Sequence, residues 1–170
     1  MGGKTPDMVA LLVHAVLAVI VIAVVVRLNP AVFARVPAGS RPATLEMLYY
    51  LVGAASIPLC WYFNFRYVQE YAVAGSHNVL WGPGSWAEFI ALGYDNPAAS
   101  SASADYTIGN VILLPLFTII DGRRRGIRHP WLFFVSSLFT SFSFAWAFYL
   151  ATVERQRRHQ QAAVTVDSRV

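Results

Sequence analysis

Apolar positions along the chain gather into four segments, and each predicts a helix. The first, 8–28, holds no formal charge before Arg27, and its one polar side chain is His14. At about 1.5 Å per residue it is roughly 30 Å long, the thickness of a bilayer core. It is longer than the apolar region of a secretory signal, only Lys4 precedes it, and no clean A-x-A site follows, so a retained helix is expected. The second, 45–66, opens with Glu46, closes with Arg66 and contains Pro58, which predicts a kink. Tyr49, Tyr50, Trp61 and Tyr62 lie towards its ends, as in an interfacial aromatic belt. The third, 99–120, has an apolar core too short to span alone. It reaches a spanning length only through a run of Ala and Ser, which brings Asp105 and Asn110 to membrane depth or its boundary. The fourth, 130–153, is long, aromatic and uncharged.

Between the second and third segments lies a loop, 67–98, with Trp81-Gly-Pro-Gly-Ser-Trp86 at its centre. A structureless loop of this length is uncommon unless it is functional. The run from Trp86 predicts a short interfacial helix, and Asp95-Asn96-Pro97 predicts the turn and amino-terminal cap of the third helix. The tail, 156–170, is polar, and beyond Arg158 it is expected to fray.

Composition turns this pattern into a class. Hydrophobic residues are 56% of the 170 and charged residues 13%, about half the share of an average soluble domain. Too few charged side chains remain to cover a soluble fold of this size. The expectation is an all-α, polytopic integral membrane protein with four transmembrane helices, in the bacterial cytoplasmic (inner) membrane. The single cysteine, Cys60, excludes an internal disulfide and a Cys-based metal site. The net charge of +4 does not point to nucleic acid, because the arginines sit at the ends of the apolar runs, where lipid headgroups favour them. Arg27, Arg35, Arg41, Arg123, Arg124, Arg125 and Arg128 fall in the two short loops. Lys4, Arg66, Arg155, Arg157 and Arg158 fall on the opposite side of a four-helix arrangement. That balance places loops 29–43 and 121–129 in the cytoplasm, with both termini and loop 67–98 outside.

Few residues suggest chemistry. His14 reads as an intramembrane hydrogen-bonding imidazole or as a proton relay. Asp105, with Asn110 and Glu88 or Glu46, could form an acid pair in a polar pocket, or could simply complement a helix dipole. Arg123, Arg124, Arg125 and Arg128 read as headgroup ligands or as a topology signal. Ser136, Thr140 and Ser143 recur at i, i+4 and i+7 and predict a close helix-packing face. Phe139, Phe142 and Trp146 belong to an aromatic face towards lipid or a partner subunit. No P-loop, no dinucleotide-binding glycine motif, no H-E-x-x-H and no cysteine pair occurs, and the histidines are dispersed, so no cofactor and no metal are expected.

The stretch 86–155 carries Asn96-Pro-Ala-Ala99, Asp105, Asp121-Gly-Arg-Arg-Arg125 and a Phe/Leu/Ser run ending in Glu154-Arg155. It resembles an uncharacterised family of small bacterial membrane proteins, domain of unknown function twenty-eight thirty-four. That resemblance implies a fold and no catalytic residues. With the arginine-rich, lysine-poor usage it is similar to an actinobacterial accessory subunit of an MCE-type lipid importer. The expectation is therefore a non-enzymatic subunit of a larger membrane complex in lipid transport, with membrane lipids and other membrane subunits as partners. The alternatives are a small membrane-embedded enzyme acting on an isoprenoid or lipid, and a solute or proton-coupled channel through His14.

Overall fold

A computed structural model describes residues 9–35, 43–72 and 80–167. The described residues form helices α1 (Val9–Leu28), α2 (Pro30–Phe33), α3 (Thr44–Tyr71), α4 (Trp86–Leu92), α5 (Pro97–Thr107), α6 (Leu114–Arg124), α7 (Leu132–Ser137) and α8 (Phe142–Asp167), with no strand among them. The all-α expectation therefore holds. Lys4 and Arg41, which entered the charge balance, lie outside the described residues.

The cap expected at the third segment is present. Asn96 Oδ1 accepts from Ala99 N at 3.0 Å, and Pro97 occupies the first turn, where its missing N–H costs nothing. A π-helical turn, Ile108–Leu113, joins α5 to α6. Pro115 supplies its cause: it cannot donate to the carbonyl one turn back, and its ring crowds that carbonyl, so the backbone widens locally. The continuous helix Pro97–Arg124 is long and apolar enough to cross a membrane, and only 17% of its most apolar window is buried. Leu12–Leu28 is a shorter apolar helix. α3 runs unbroken through Pro58 and continues to Tyr71, past the expected end at 66.

The fourth segment departs most from expectation. No single helix covers 130–153: α7 stops at Ser137, the chain turns at 138–141, and α8 starts at Phe142. The two pieces fold back on each other. Phe133 packs against Phe148 and Tyr149, with ring centroids 5.2 and 5.0 Å apart. Hydroxyls satisfy the backbone at the turn. Ser136 Oγ donates to Phe133 O, Ser137 Oγ to Phe134 O and Thr140 Oγ1 to Ser136 O, each at 2.7 Å, while Ser141 Oγ accepts from Phe144 N at 3.0 Å and caps α8. Of the residues expected to form one helix-packing face, Ser136 is fully buried and Thr140 is buried, but they lie on either side of a turn and not along one helix with Ser143. The Ser/Thr density marks a helix break.

α8 returns alongside α3 in antiparallel fashion. Ser56 and Ser141 share a hydrogen bond at 2.9 Å, Gly53 faces Phe144 and Ala147, and Glu46 meets Arg155 and Arg158. The bundle consequently has two distinct ends. One gathers the 123–129 turn, α2 and the outgoing half of α8. There Asn29 Oδ1 accepts from Arg128 N at 2.7 Å, and Tyr149 donates to Asp121 at 2.7 Å beside the Asp121–Arg125 ion pair at 2.6 Å. The other end holds the 80–96 stretch. α8 leaves at the first end and stays helical to Asp167, where fraying was expected. Its carboxy-terminal half therefore lies at the same end as α2 and the 123–129 turn, opposite the 80–96 stretch. The core, Val25, Ile127, Leu132, Phe133, Phe148, Tyr149 and Val153, fills the arginine-bearing half of the bundle.

Candidate functional site

The hairpin of α7 and α8 reaches only part of the way along the bundle. Beyond its tip the described residues line a chamber of about 830 Å³, within the size range of small-molecule sites. Ser137, Thr140, Ser141 and Ser143 form its floor at the hairpin tip, with Phe139 and Phe142 beside them. Cys60, Asn64, Tyr67 and Tyr71 of α3 form one wall, and Ser103, Tyr106 and Thr107 of α5 form another. His14 of α1 closes a third side, its ring 5.5 Å from Trp86 and 6.0 Å from Phe139.

The tryptophan-rich loop and α4 cover the chamber, and hydrogen bonds tie this cover to two helices. Tyr67 donates to Ser85 O at 2.8 Å and lies 3.1 Å from Glu88 Oε2, which also accepts from Gly84 N at 2.6 Å. On the α5 side Ser103 Oγ donates to Gly93 O at 2.7 Å, and the Tyr94 and Thr107 hydroxyls pair at 3.0 Å. Gly84 has a φ of +76°, and a Cβ there would fall 2.7 Å from Ala72 Cα, so only glycine fits this turn.

Among the described residues no Asp, Glu, Lys or Arg lines the chamber. The three carboxylates considered as acids are not brought together. Glu88 is the anchor of the cover, and Asp105 is exposed on α5. Glu46 lies at the opposite end, almost fully buried, its Oε1 bonded to Arg158 at 3.0 Å and Arg155 at 3.4 Å. Asn110 is buried in the π turn, donating to the Tyr106 hydroxyl at 3.0 Å behind the chamber wall. Among the described residues no three His, Cys, Asp or Glu gather as a metal site.

The residues assigned to a partner or lipid face divide differently. Phe139, Phe142 and Ser143 line the chamber, while Trp146 packs on Phe117 at 5.3 Å on the outer side of α6. Within the basic turn, Arg125 is taken up by Asp121, and Arg123, Arg124 and Arg128 are exposed. Sequence reasoning missed Tyr67 and Ser103, two of the side chains that fasten the cover. Their partners lie 18 and 10 residues away, and no local pattern announces such bonds.

Neither a curated protein nor a solved structure matches the chain. A family does, over residues 48–155, which extends the resemblance seen from 86 onward to take in most of α3 and so both α3 and α5 walls, the cover and the hairpin floor. On that match the chain belongs to the family described as Protein of unknown function DUF2834.

Proposed function

We propose that this chain is a multi-pass membrane protein that holds an uncharged, lipid-like molecule in the chamber, a non-catalytic role in lipid handling. The observation that carries the reading is the chamber's lining: aromatic and apolar walls, a hydroxyl-bearing floor and, among the described residues, no acidic, lysine or arginine side chain. Such a site offers a headgroup neutral hydrogen bonds and offers an ion no counter-charge, which favours a hydroxyl- or carbonyl-bearing apolar molecule.

The outer surface supports placement in a bilayer. α1 exposes Leu12, Val16 and Val19, α3 exposes Leu51, Leu59 and Phe63, and the π turn and α6 expose Val111, Ile112 and Leu116. Water would not tolerate three such neighbouring faces, whereas hydrocarbon would. In this reading α1, α3 and α5–α6 cross, and the α7–α8 hairpin enters from one side only and leaves by the same side. Irregular backbone at its tip is admissible because it is enclosed by protein. Among the described residues the charge balance then becomes one-sided. Arg27, Arg35, Arg123, Arg124, Arg125, Arg128, Arg155, Arg157 and Arg158 all attend the end where α8 leaves, against Arg66 towards the other. That end faces the cytoplasm in a bacterial inner membrane, and the chamber lies in the outer leaflet. A role as accessory subunit of a lipid-transport assembly draws support from Pro97–Arg124, a long helix left mostly uncovered by its own chain.

The test uses Cys60, the single thiol, which lines the chamber. Alkylation of Cys60 in detergent-solubilised protein is followed with farnesol, dioleoylglycerol or oleate added. The neutral probes are expected to slow it and oleate is not. Equal protection by all three, or none by either neutral probe, would overturn the reading.

A further inference from the structure

A second cavity, about 410 Å³, lies on the outside of the bundle in a groove between α6 and α8. Leu113, Leu116, Phe117 and Ile120 of the helix and Trp146 of α8 line it, and Asp121 and Arg124 close one end. Positions 113, 116/117, 120 and 124 succeed one another by three or four residues, so a single apolar stripe ends in a guanidinium. From Leu113 to Arg124 the helix rises about 16.5 Å, close to the roughly 15 Å of one leaflet's hydrocarbon. Asp121 does not oppose an anion at that end, because its carboxylate is already held by Arg125 at 2.6 Å and Tyr149 at 2.7 Å. Arg124 and its neighbour Arg123 are exposed. Groove length, apolar lining and terminal charge together match one amphiphile, with an acyl chain against α6 and an anionic headgroup at its carboxy-terminal end.

We propose that this groove is a binding site for one anionic phospholipid of the arginine-side leaflet, its phosphate on Arg124 and Arg123 and one acyl chain along Leu116, Phe117 and Ile120 beside Trp146. The cation suits the place twice over, since the last carbonyls of α6 leave a negative helix end that anchors guanidinium groups, and anionic lipids concentrate in the cytoplasmic leaflet. This rests on the bilayer reading of Pro97–Arg124, and the two can fail separately.

The full chain is reconstituted in vesicles of dioleoylphosphatidylcholine containing one-tenth brominated phosphatidylglycerol or, alternatively, one-tenth brominated phosphatidylcholine. Quenching at Trp146 is read as the difference between the unaltered chain and Trp146→Phe. Brominated phosphatidylglycerol is expected to quench preferentially, the preference falling about fivefold with Arg124→Gln and further with Arg123→Gln added. Arg128→Gln, a basic residue of the same turn outside the groove, is expected to leave it unchanged, as is 20 mM inorganic phosphate at constant ionic strength. Equal quenching by both lipids, an unchanged preference in the double variant, an Arg128→Gln effect as large as that of Arg124→Gln, or displacement by phosphate overturns the lipid groove. A protein that does not float with the vesicles overturns the bilayer reading instead.

Discussion

Removing the Glu46 carboxylate tests how the returning helix is held. Glu46 is 1% exposed, and Arg155 and Arg158 reach it from 109 and 112 residues away. The two guanidiniums are not equivalent. Arg155 also donates to Val32 O at 2.9 Å and Ala34 O at 3.0 Å, the carbonyl end of α2, and keeps those partners when Glu46 is lost. Arg158, only 11% exposed, has its one described bond with Glu46. Its Nε and Glu46 Oε2 are both buried without a hydrogen-bond partner, so this pair has no spare solvation to fall back on. Glu46→Ala leaves a buried cation unmatched, a loss of about 3–5 kcal/mol. In a chain of this length that is a drop in Tm of about 6–20 °C. Thermal unfolding in detergent, followed by tryptophan emission, measures it. Glu46→Leu with Arg158→Leu removes both charges and is expected to recover most of the loss, since apolar replacement of a whole buried pair is close to neutral. A Tm change under about 2 °C for Glu46→Ala, or a double variant as unstable as the sum of its singles, would refute the reasoning.

Other consequences concern the hairpin and the cover. Gly122→Ala places a Cβ 2.5 Å from the Pro130 ring carbon, which cannot yield. The overpacking loss of about 1–3 kcal/mol outweighs the helix-propensity gain of at most about 1 kcal/mol, so Tm falls. Ser141→Ala removes the α8 cap and the bond to Ser56, and is expected to cost about 1–2 kcal/mol in the same assay. Glu88→Ala frees Gly84 N and Tyr67 from a charged acceptor, a loss of about 1.5–3 kcal/mol. Chymotryptic cleavage within 80–94 is therefore expected to quicken roughly 10–100-fold while Tm of the bundle changes little; unchanged cleavage would mean the carboxylate does not hold the cover.

Local signals were readable along the chain where the physics is local. Asn96-Pro97 announced a helix start, and the Trp86 run announced α4, because caps and turns depend on a few adjacent residues. Residues 130–153 misled because hydropathy records composition, not direction. Twenty-four uncharged residues have the length to cross a bilayer whether or not they turn back. The cue was present in the hydroxyls of Ser136, Ser137, Thr140 and Ser141, which bond backbone carbonyls and an amide around the helix break, but a packing stripe has the same spacing. The chamber was illegible for a related reason: it is the volume a half-length hairpin leaves unfilled, and no residue encodes an absence. Glu46 was visible as an acid in a first turn, yet its burial depends on arginines supplied by a helix more than a hundred residues further on.

The returning hairpin is most directly tested by accessibility in sealed vesicles of known orientation. In a Cys60→Ser background, single cysteines replace Trp81, Arg123 and Gln160, all exposed, and are treated with a membrane-impermeant maleimide. The hairpin predicts that positions 123 and 160 react from the same side and position 81 from the other. Reaction of 160 together with 81, and opposite to 123, would mean that 130–153 crosses the bilayer after all, and would contradict both the hairpin and the chamber above it.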